Sequence, residues 1–369
     1  MGKRKQLSFW SLNGNISGRL SDCPVTDYLE DGDSACYFFG GKHQCLHCNH
    51  PDLAAHLADV KGLDFENVDA KSVSLPQLPE FVPSVSSGSR YIFDKFSPPF
   101  VAVTLDKVIN SKTLEVTDNI HRKIGLPEES KVLLLGYCND ELLEKIWNKR
   151  HQVLPKIASL DFDVMTALDY SVFLNQPHIH SLWNIKRSLI TYEMLQKINI
   201  ATIPHIYWLG NKDLCRWINW LRKRVCVKTV AICLSLIEND LWEDTISDLD
   251  FFRKTINPDT HFIITGVASR ARITDIVKTL PNVSITNGVC YAKSVSKEKI
   301  VDGRTIQVLV PPFRENFNYY VGLIKNKKAR NQSKQSSQGV FWSHYLSQME
   351  LPISNDLAFG GESIGKQKA

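Results

Sequence analysis

No apolar run in this 369-residue chain reaches the roughly 18–20 residues that a membrane-spanning helix needs, so no membrane partner is expected. The basic start, Met1 to Gln6, is not followed by an apolar stretch, so it reads without a secretory signal. Gln6 stands where an N-myristoylation motif needs Ser or Thr. No Gly-x-Gly-x-x-Gly follows any apolar run, which weakens a dinucleotide-binding reading. A Walker loop, a Ser-His-Asp signature, an H-E-x-x-H helix and the kinase signatures are also missing, and no internal repeat is visible. One-sided charge is lacking too. The net charge of +5 permits a nucleic-acid partner without arguing for one.

What is present fits a globular protein. Hydrophobic residues at 43% and charged residues at 22% leave room for a large core, which excludes collagen-like, coiled-coil and wholly disordered chains. The length suits two domains, or one large one with attachments. Four regions follow from composition: a Cys/His-rich head (1–60), an extended Ser/Pro/Val connector (61–98), an α/β domain (99–324) and a basic polar tail (325–369).

The α/β assignment rests on rhythm. Apolar or β-branched runs at 100–105, 132–136, 163–168, 201–208, 229–236, 261–266 and 283–287 recur at about the length of a βα unit, roughly 30 residues. A run at 306–311 is a weaker eighth candidate. Helix-period stretches lie between them: Asn139 caps one, and Leu214, Trp217, Ile218 and Leu221 form the apolar stripe of another. Near-continuous apolar strands imply a parallel sheet covered on both faces. The number of units points to a (β/α)8 TIM-barrel-like domain, with an open doubly wound α/β sheet as the alternative.

The nine cysteines are unevenly spread. Cys23, Cys36, Cys45 and Cys48 gather in the head, where Cys45-Leu-His-Cys48 is a C-x2-C knuckle able to turn two thiolates onto one metal. Four soft ligands suit a structural zinc, and the bound metal then supplies folding energy to a segment with little core. An iron–sulfur cluster and ordinary free thiols remain the alternatives, since C-x8-C-x2-C matches neither common ferredoxin spacing. The odd total favours a reducing compartment, hence a cytoplasmic location.

A barrel carries its chemistry at the C-terminal ends of its strands. Asp169 and His205 follow adjacent runs and suit general acid–base work, or else cap and pack like ordinary residues. Asn184, Lys186 and Arg187 open a helix and can hold an anion, or form a solvated face. Trp208 and Arg270 also fall at strand ends. His178-Ile-His180 is a chelating pair if it lies on a strand. Arg216, Arg222, Lys223, Arg224 and Lys228 surround Trp217 and Trp220, a pattern of nucleic-acid binders as well as of a packed helix with a basic outer face.

Phe162-Asp163, Leu168-Asp-Tyr-Ser-Val-Phe173, Pro177, Asn184-Ile-Lys-Arg-Ser188, Tyr192, Ile200 to Trp208 and Thr229 to Ile232 follow one another in a spaced pattern. In these residues the segment from 160 to about 266 resembles a family catalogued as domain of unknown function 4417, found widely in bacteria and on mobile elements. Leu168 stands where that family has proline, and Asn199 where it has glycine. The resemblance implies a barrel and marks Asp169, Asn184, Arg187, His205 and Trp208 as motif positions, but implies no reaction. Two functions are therefore expected. One is a barrel enzyme acting on a nucleotide, a nucleobase or nucleic acid through Asp169 and His205, with Asn184, Arg187, Trp208 and Arg270 binding substrate. The other is a non-catalytic accessory protein of a mobile element, binding nucleic acid or a protein through its head and tail.

Overall fold

The computed structural model describes residues 58–86, 90–93, 96–172 and 178–335. Short apolar runs supply the strands β1 (Phe81–Val85), β2 (Phe100–Thr104), β3 (Lys131–Leu135), β4 (Val164–Thr166), β5 (Thr202–Ile203), β6 (Thr229–Cys233), β7 (His261–Thr265) and β8 (Val283–Asn287). Helices intervene: α1 (Ile120–Ile124), α2 (Asp140–Asn148) and α3 (Arg150–Ala158) before and after β3, then α4 (His178–Lys197), α5 (Asn211–Lys223), α6 (Trp242–Thr255), α7 (Arg270–Thr279) and α8 (Val289–Val295). A hairpin of β9 (Glu298–Val301) and β10 (Arg304–Gln307) precedes the helix α9 (Phe313–Gln335).

The eight strands β1 to β8 form one parallel sheet in the order β5-β4-β3-β2-β1-β8-β7-β6. Its two ends meet. His205 bridges Ala231 in parallel register, with Ile206 N–H donating to Ala231 O (2.8 Å) and Ala231 N–H donating to Pro204 O (2.9 Å). The sheet is thereby brought round into a (β/α)8 barrel rather than left open as a doubly wound sheet.

Strand periodicity divides the core in two. Val82, Phe100, Ala102, Leu133, Leu135, Val164, Ile203, Ala231 and Ile263 point inward and plug the barrel. Their neighbours Val101, Val103, Val132, Leu134, Val230, Ile232 and Ile264 point outward into a larger cluster under the helices. Burial on both faces is why the strands read as apolar runs without alternation. Helix starts follow local chemistry: Leu142 N–H donates to Asn139 Oδ1 (2.9 Å) ahead of α2, and Arg272 N–H to Ser269 Oγ (3.3 Å) ahead of α7.

Three regions depart from the sequence expectation. First, β1 lies within the stretch read as a connector. It pairs with β8 through Phe81, Val82 and Pro83, and with β2 through Ser84 and Val85. Pro83 stands outside the β2 register, which lets a strand between two neighbours carry a residue with no N–H. Earlier in that stretch, Leu63, Phe65 and Val68 are buried. Lys186 Nζ donates to Asp64 O and Asn67 Oδ1, and Trp220 Nε1–H to Val68 O (3.2 Å), so this part is docked on α4 and α5. Second, the eighth run does not join the barrel. Asp302 and Gly303, at φ 51° and 81°, make the two-residue turn of an antiparallel hairpin. Third, the polar strip from 325 continues α9 as far as Gln335. Earlier in α9, Phe313, Phe317, Tyr320 and Ile324 are buried, and Tyr320 stacks on Phe81 at 4.8 Å.

Candidate functional site at the barrel mouth

Extending the inward register one step past the apolar plug changes its chemistry. Ala102 is followed by Thr104, Leu135 by Tyr137, Ile203 by His205 and then Tyr207, Ala231 by Cys233, and Ile263 by Thr265. The top layer at the C-terminal strand ends is therefore built of hydroxyl, phenol, imidazole and thiol groups. Two glycines let the loops close tightly around it. A Cβ on Gly136 would lie 2.0 Å from Ala167 O, and one on Gly266, at φ +82°, would lie 2.3 Å from Ser235 N.

Asp169 enters this layer after β4. Its N–H donates to Gly136 O (3.0 Å), and Tyr207 Oη donates to its Oδ2 (3.0 Å). Its other oxygen, Oδ1, is shielded from solvent and has no hydrogen-bond partner. Burial raises the carboxyl to about 7. The Tyr207 hydroxyl acts against that shift, and the Asp140 charge adds to it.

His205 is 1% exposed, and neither ring nitrogen has a hydrogen-bond partner. Burial pushes the imidazole down to about 3, with the Ala231 backbone acting the other way, so the ring is neutral near pH 7. It packs between Tyr137, at 4.9 Å between centroids, and Tyr207, at 6.3 Å. Tyr137 Oη and Thr265 Oγ1 share a hydrogen bond of 2.9 Å. Burial holds both phenols well above their ordinary range, so they stay protonated. Cys233 Sγ is 3.1 Å from Ser235 Oγ. Beside Asp169, the Cys138 thiol is raised to about 12 by burial and then by the charges of Asp106, Asp140 and Asp169. Thr286 Oγ1 is buried and unpartnered.

The arrangement joins Asp169 and His205 through Tyr207. Other expected site residues lie elsewhere. Arg187, 2% exposed, is sandwiched in the helix layer over Trp183 (3.7 Å) and Tyr170 (4.1 Å), and donates to Glu144 Oε2 (2.7 Å) and Asn184 Oδ1 (2.5 Å). Asn184 donates to Ser171 O (2.6 Å), and Ser171 Oγ to Asp140 Oδ1 (2.5 Å), so Asn184 and Arg187 brace the chain just after Asp169. Trp208 Nε1–H donates to Asp248 Oδ2 on α6 (2.7 Å), and Arg270 is exposed at the start of α7. His178 is on α4 rather than on a strand, with Nε2 3.0 Å from both Asp213 oxygens. The basic residues around Trp217 and Trp220 are largely engaged: Arg216 on Asp213 (2.8 Å), Lys223 on Glu66 (3.0 Å), and Arg224 on Val68 O (2.7 Å) and Glu66 O (2.6 Å). Both tryptophans are fully buried.

Tyr207 and Cys233 are not singled out from the sequence as site residues. Their signal is the two-residue strand period, which places them above the inward plug. Among the described residues, no group of three or more His, Cys, Asp or Glu side chains is placed to hold a metal. Cys23, Cys36, Cys45 and Cys48 lie outside the described residues. Among the described residues, no helix is long and apolar enough to cross a membrane.

No curated protein matches the chain. A family model described as Domain of unknown function (DUF4417) matches residues 105–261, a span running from the end of β2 to the first residue of β7 and taking in Tyr137, Asp169, His205, Tyr207 and Cys233. Asn199, where the sequence pattern has glycine, adopts φ 64°, the left-handed conformation that asparagine tolerates best after glycine. Over residues 105–261 the chain is similar to that family.

Proposed function

We propose that the protein is an enzyme that moves a proton to or from a small molecule held at the C-terminal mouth of its barrel. Asp169 is the general acid–base, with neutral His205 and the phenols of Tyr137 and Tyr207 orienting the substrate. The observation that carries this reading is the unpartnered, solvent-shielded Oδ1 of Asp169, set in the same layer as a buried imidazole with two unpartnered nitrogens. Buried polar atoms without partners are costly, and groups built to meet a ligand are one reason to keep them. A carboxyl near neutrality both donates and accepts protons at cellular pH.

A nucleobase or nucleoside is the substrate class we favour, since its ring edge offers N–H and carbonyl groups to this layer. Arg187 does not supply phosphate binding, because it is committed to Glu144 and Asn184. The cysteine head is proposed to hold a structural zinc through Cys23, Cys36, Cys45 and Cys48, and the compartment to be cytoplasmic. Lys223 and Arg224, two of the basic residues around Trp217 and Trp220 that resemble a nucleic-acid-binding pattern, instead grip residues 66–68.

The test is a turnover screen over nucleobases and nucleosides, with Asp169→Asn as control. The substitution is expected to lower kcat/KM by roughly 10²–10⁴ with melting temperature preserved or raised. Unchanged turnover removes Asp169 as the catalyst.

A further inference from the structure

We propose that the ligand of this mouth is a small planar organic cation, an amidine or protonated nitrogen heterocycle, whose N–H edge meets Asp169 Oδ1 and whose ring lies on Tyr137 or Tyr207. This rests on the reading above of the mouth as the ligand site, and adds the ligand's charge and shape.

The first support is a deficit of positive charge. Asp140, on the first turn of α2, adds its charge to that of Asp169, and Cys138 feels Asp106, Asp140 and Asp169 together. Cationic side chains of the surrounding elements are committed: Lys107 to Asp106 (2.7 Å), Arg187 to Glu144 (2.7 Å) and Arg216 to Asp213 (2.8 Å). An anion placed against Asp169 would meet repulsion in a low-dielectric setting, whereas a cation supplies the missing partner.

The second support is independent of the carboxylates. His205 is almost fully buried in the same layer; the Ala231 backbone acts on its ring, and neither nitrogen has a partner in full hydrogen-bond geometry. A neutral imidazole offers one acceptor nitrogen, and a ligand N–H can fill it. The third is aromatic. The rings of Tyr137 and Tyr207 flank His205, and phenol faces attract flat cations. The groups that act on Asp169 or feel its charge are Tyr137 and Cys138 after β3, Asp140 on α2 and Tyr207 after β5, while Cys233 at the end of β6 acts on the two phenols and Asp106 after β2 acts on Cys138. Among these Asp169 is the group raised to about 7, so a cation binds better once that carboxyl is ionised.

Three isosteric probes separate the charge types: benzamidine, benzamide and benzoate, titrated into the full chain by calorimetry. Benzamidine is expected to bind at least about tenfold more tightly than benzamide, with benzoate weakest. Its affinity is expected to rise as pH is raised through about 7, and its advantage to disappear in Asp169→Asn. The pH series uses the unmodified protein, so it decides the matter even if the variant folds poorly. Equal or tighter binding of benzamide or benzoate, or no binding of any probe, overturns the proposal. If turnover found in the substrate screen depends on Asp169 while benzamidine has no advantage, the charge assignment fails and the catalytic reading stands. An Asp169-dependent benzamidine preference, without Asp169-dependent turnover, gives the opposite result.

Discussion

Asp169 and His205 impose opposite pH dependences on folding. The carboxyl is raised to about 7 from 3.8, so the folded state binds its proton more tightly than the unfolded chain does. Its contribution is most favourable below 3.8 and is lost as pH rises through 7. The imidazole is lowered to about 3 from 6.5, so the unfolded chain takes the proton first, and stability falls as pH drops from 6.5 toward 3. His261, lowered to about 4 by burial and then by the Lys328 charge, acts with His205. Between about 4 and 6.5 the two residue types oppose each other. Asp169→Asn is therefore expected to stabilise the protein at pH 8, on the order of 1–3 kcal/mol, and to leave it little changed at pH 4. His205→Phe is expected to flatten the acid side of the stability profile. Urea midpoints across pH measure both, and a gain at pH 4 equal to that at pH 8 contradicts the Asp169 assignment.

At the scale of the element, loop closure at the mouth depends on Gly136. Alanine there puts Cβ 2.0 Å from Ala167 O, a backbone atom that cannot move aside without shifting β4. Gly136→Ala is expected to cost roughly 2–4 kcal/mol, since overpacking against fixed backbone falls among the larger single-residue effects. A melting temperature within a degree or two of the parent rejects that close approach. The same element scale shows what could be read from sequence. Seven barrel strands announce themselves as apolar runs because both faces are buried. Asp169 and His205 were legible because a strand end precedes each. Tyr207 and Cys233 escape the sequence reading because their runs are read as blocks instead of by alternate residues. Arg187 was misplaced because a charged residue at a helix start looks available in sequence, while Glu144, Asn184 and two aromatic faces consume it in the fold. Strand β1 was hidden by Pro83 and its serine-rich surroundings. The hairpin signal Asp302-Gly303 was present, but Ile306 to Val310 drew attention as a further barrel strand.

For the barrel as a whole, the position of β1 decides where the folding unit begins. It is inserted between β8 and β2, the neighbours that enclose it on either side. Removing it opens the barrel at a point where Val101, Val103 and Ile285 are buried, and leaves two unpaired strand edges. It also takes away Phe81, on which Phe317 packs at 5.6 Å and Tyr320 at 4.8 Å, so α9 loses part of its footing. Residues 63–68, tied to Lys186, Trp220 and Arg224, cover α4 and α5 but contribute no strand. A chain lacking residues 1–57 keeps all eight strands and that covering, and is expected to unfold in one cooperative transition. A chain lacking residues 1–98 loses both, and is expected to show no cooperative transition and to expose apolar surface to a dye such as ANS. Cooperative unfolding of the shorter chain would mean that seven strands close without β1, which the pairing of β1 on both sides argues against.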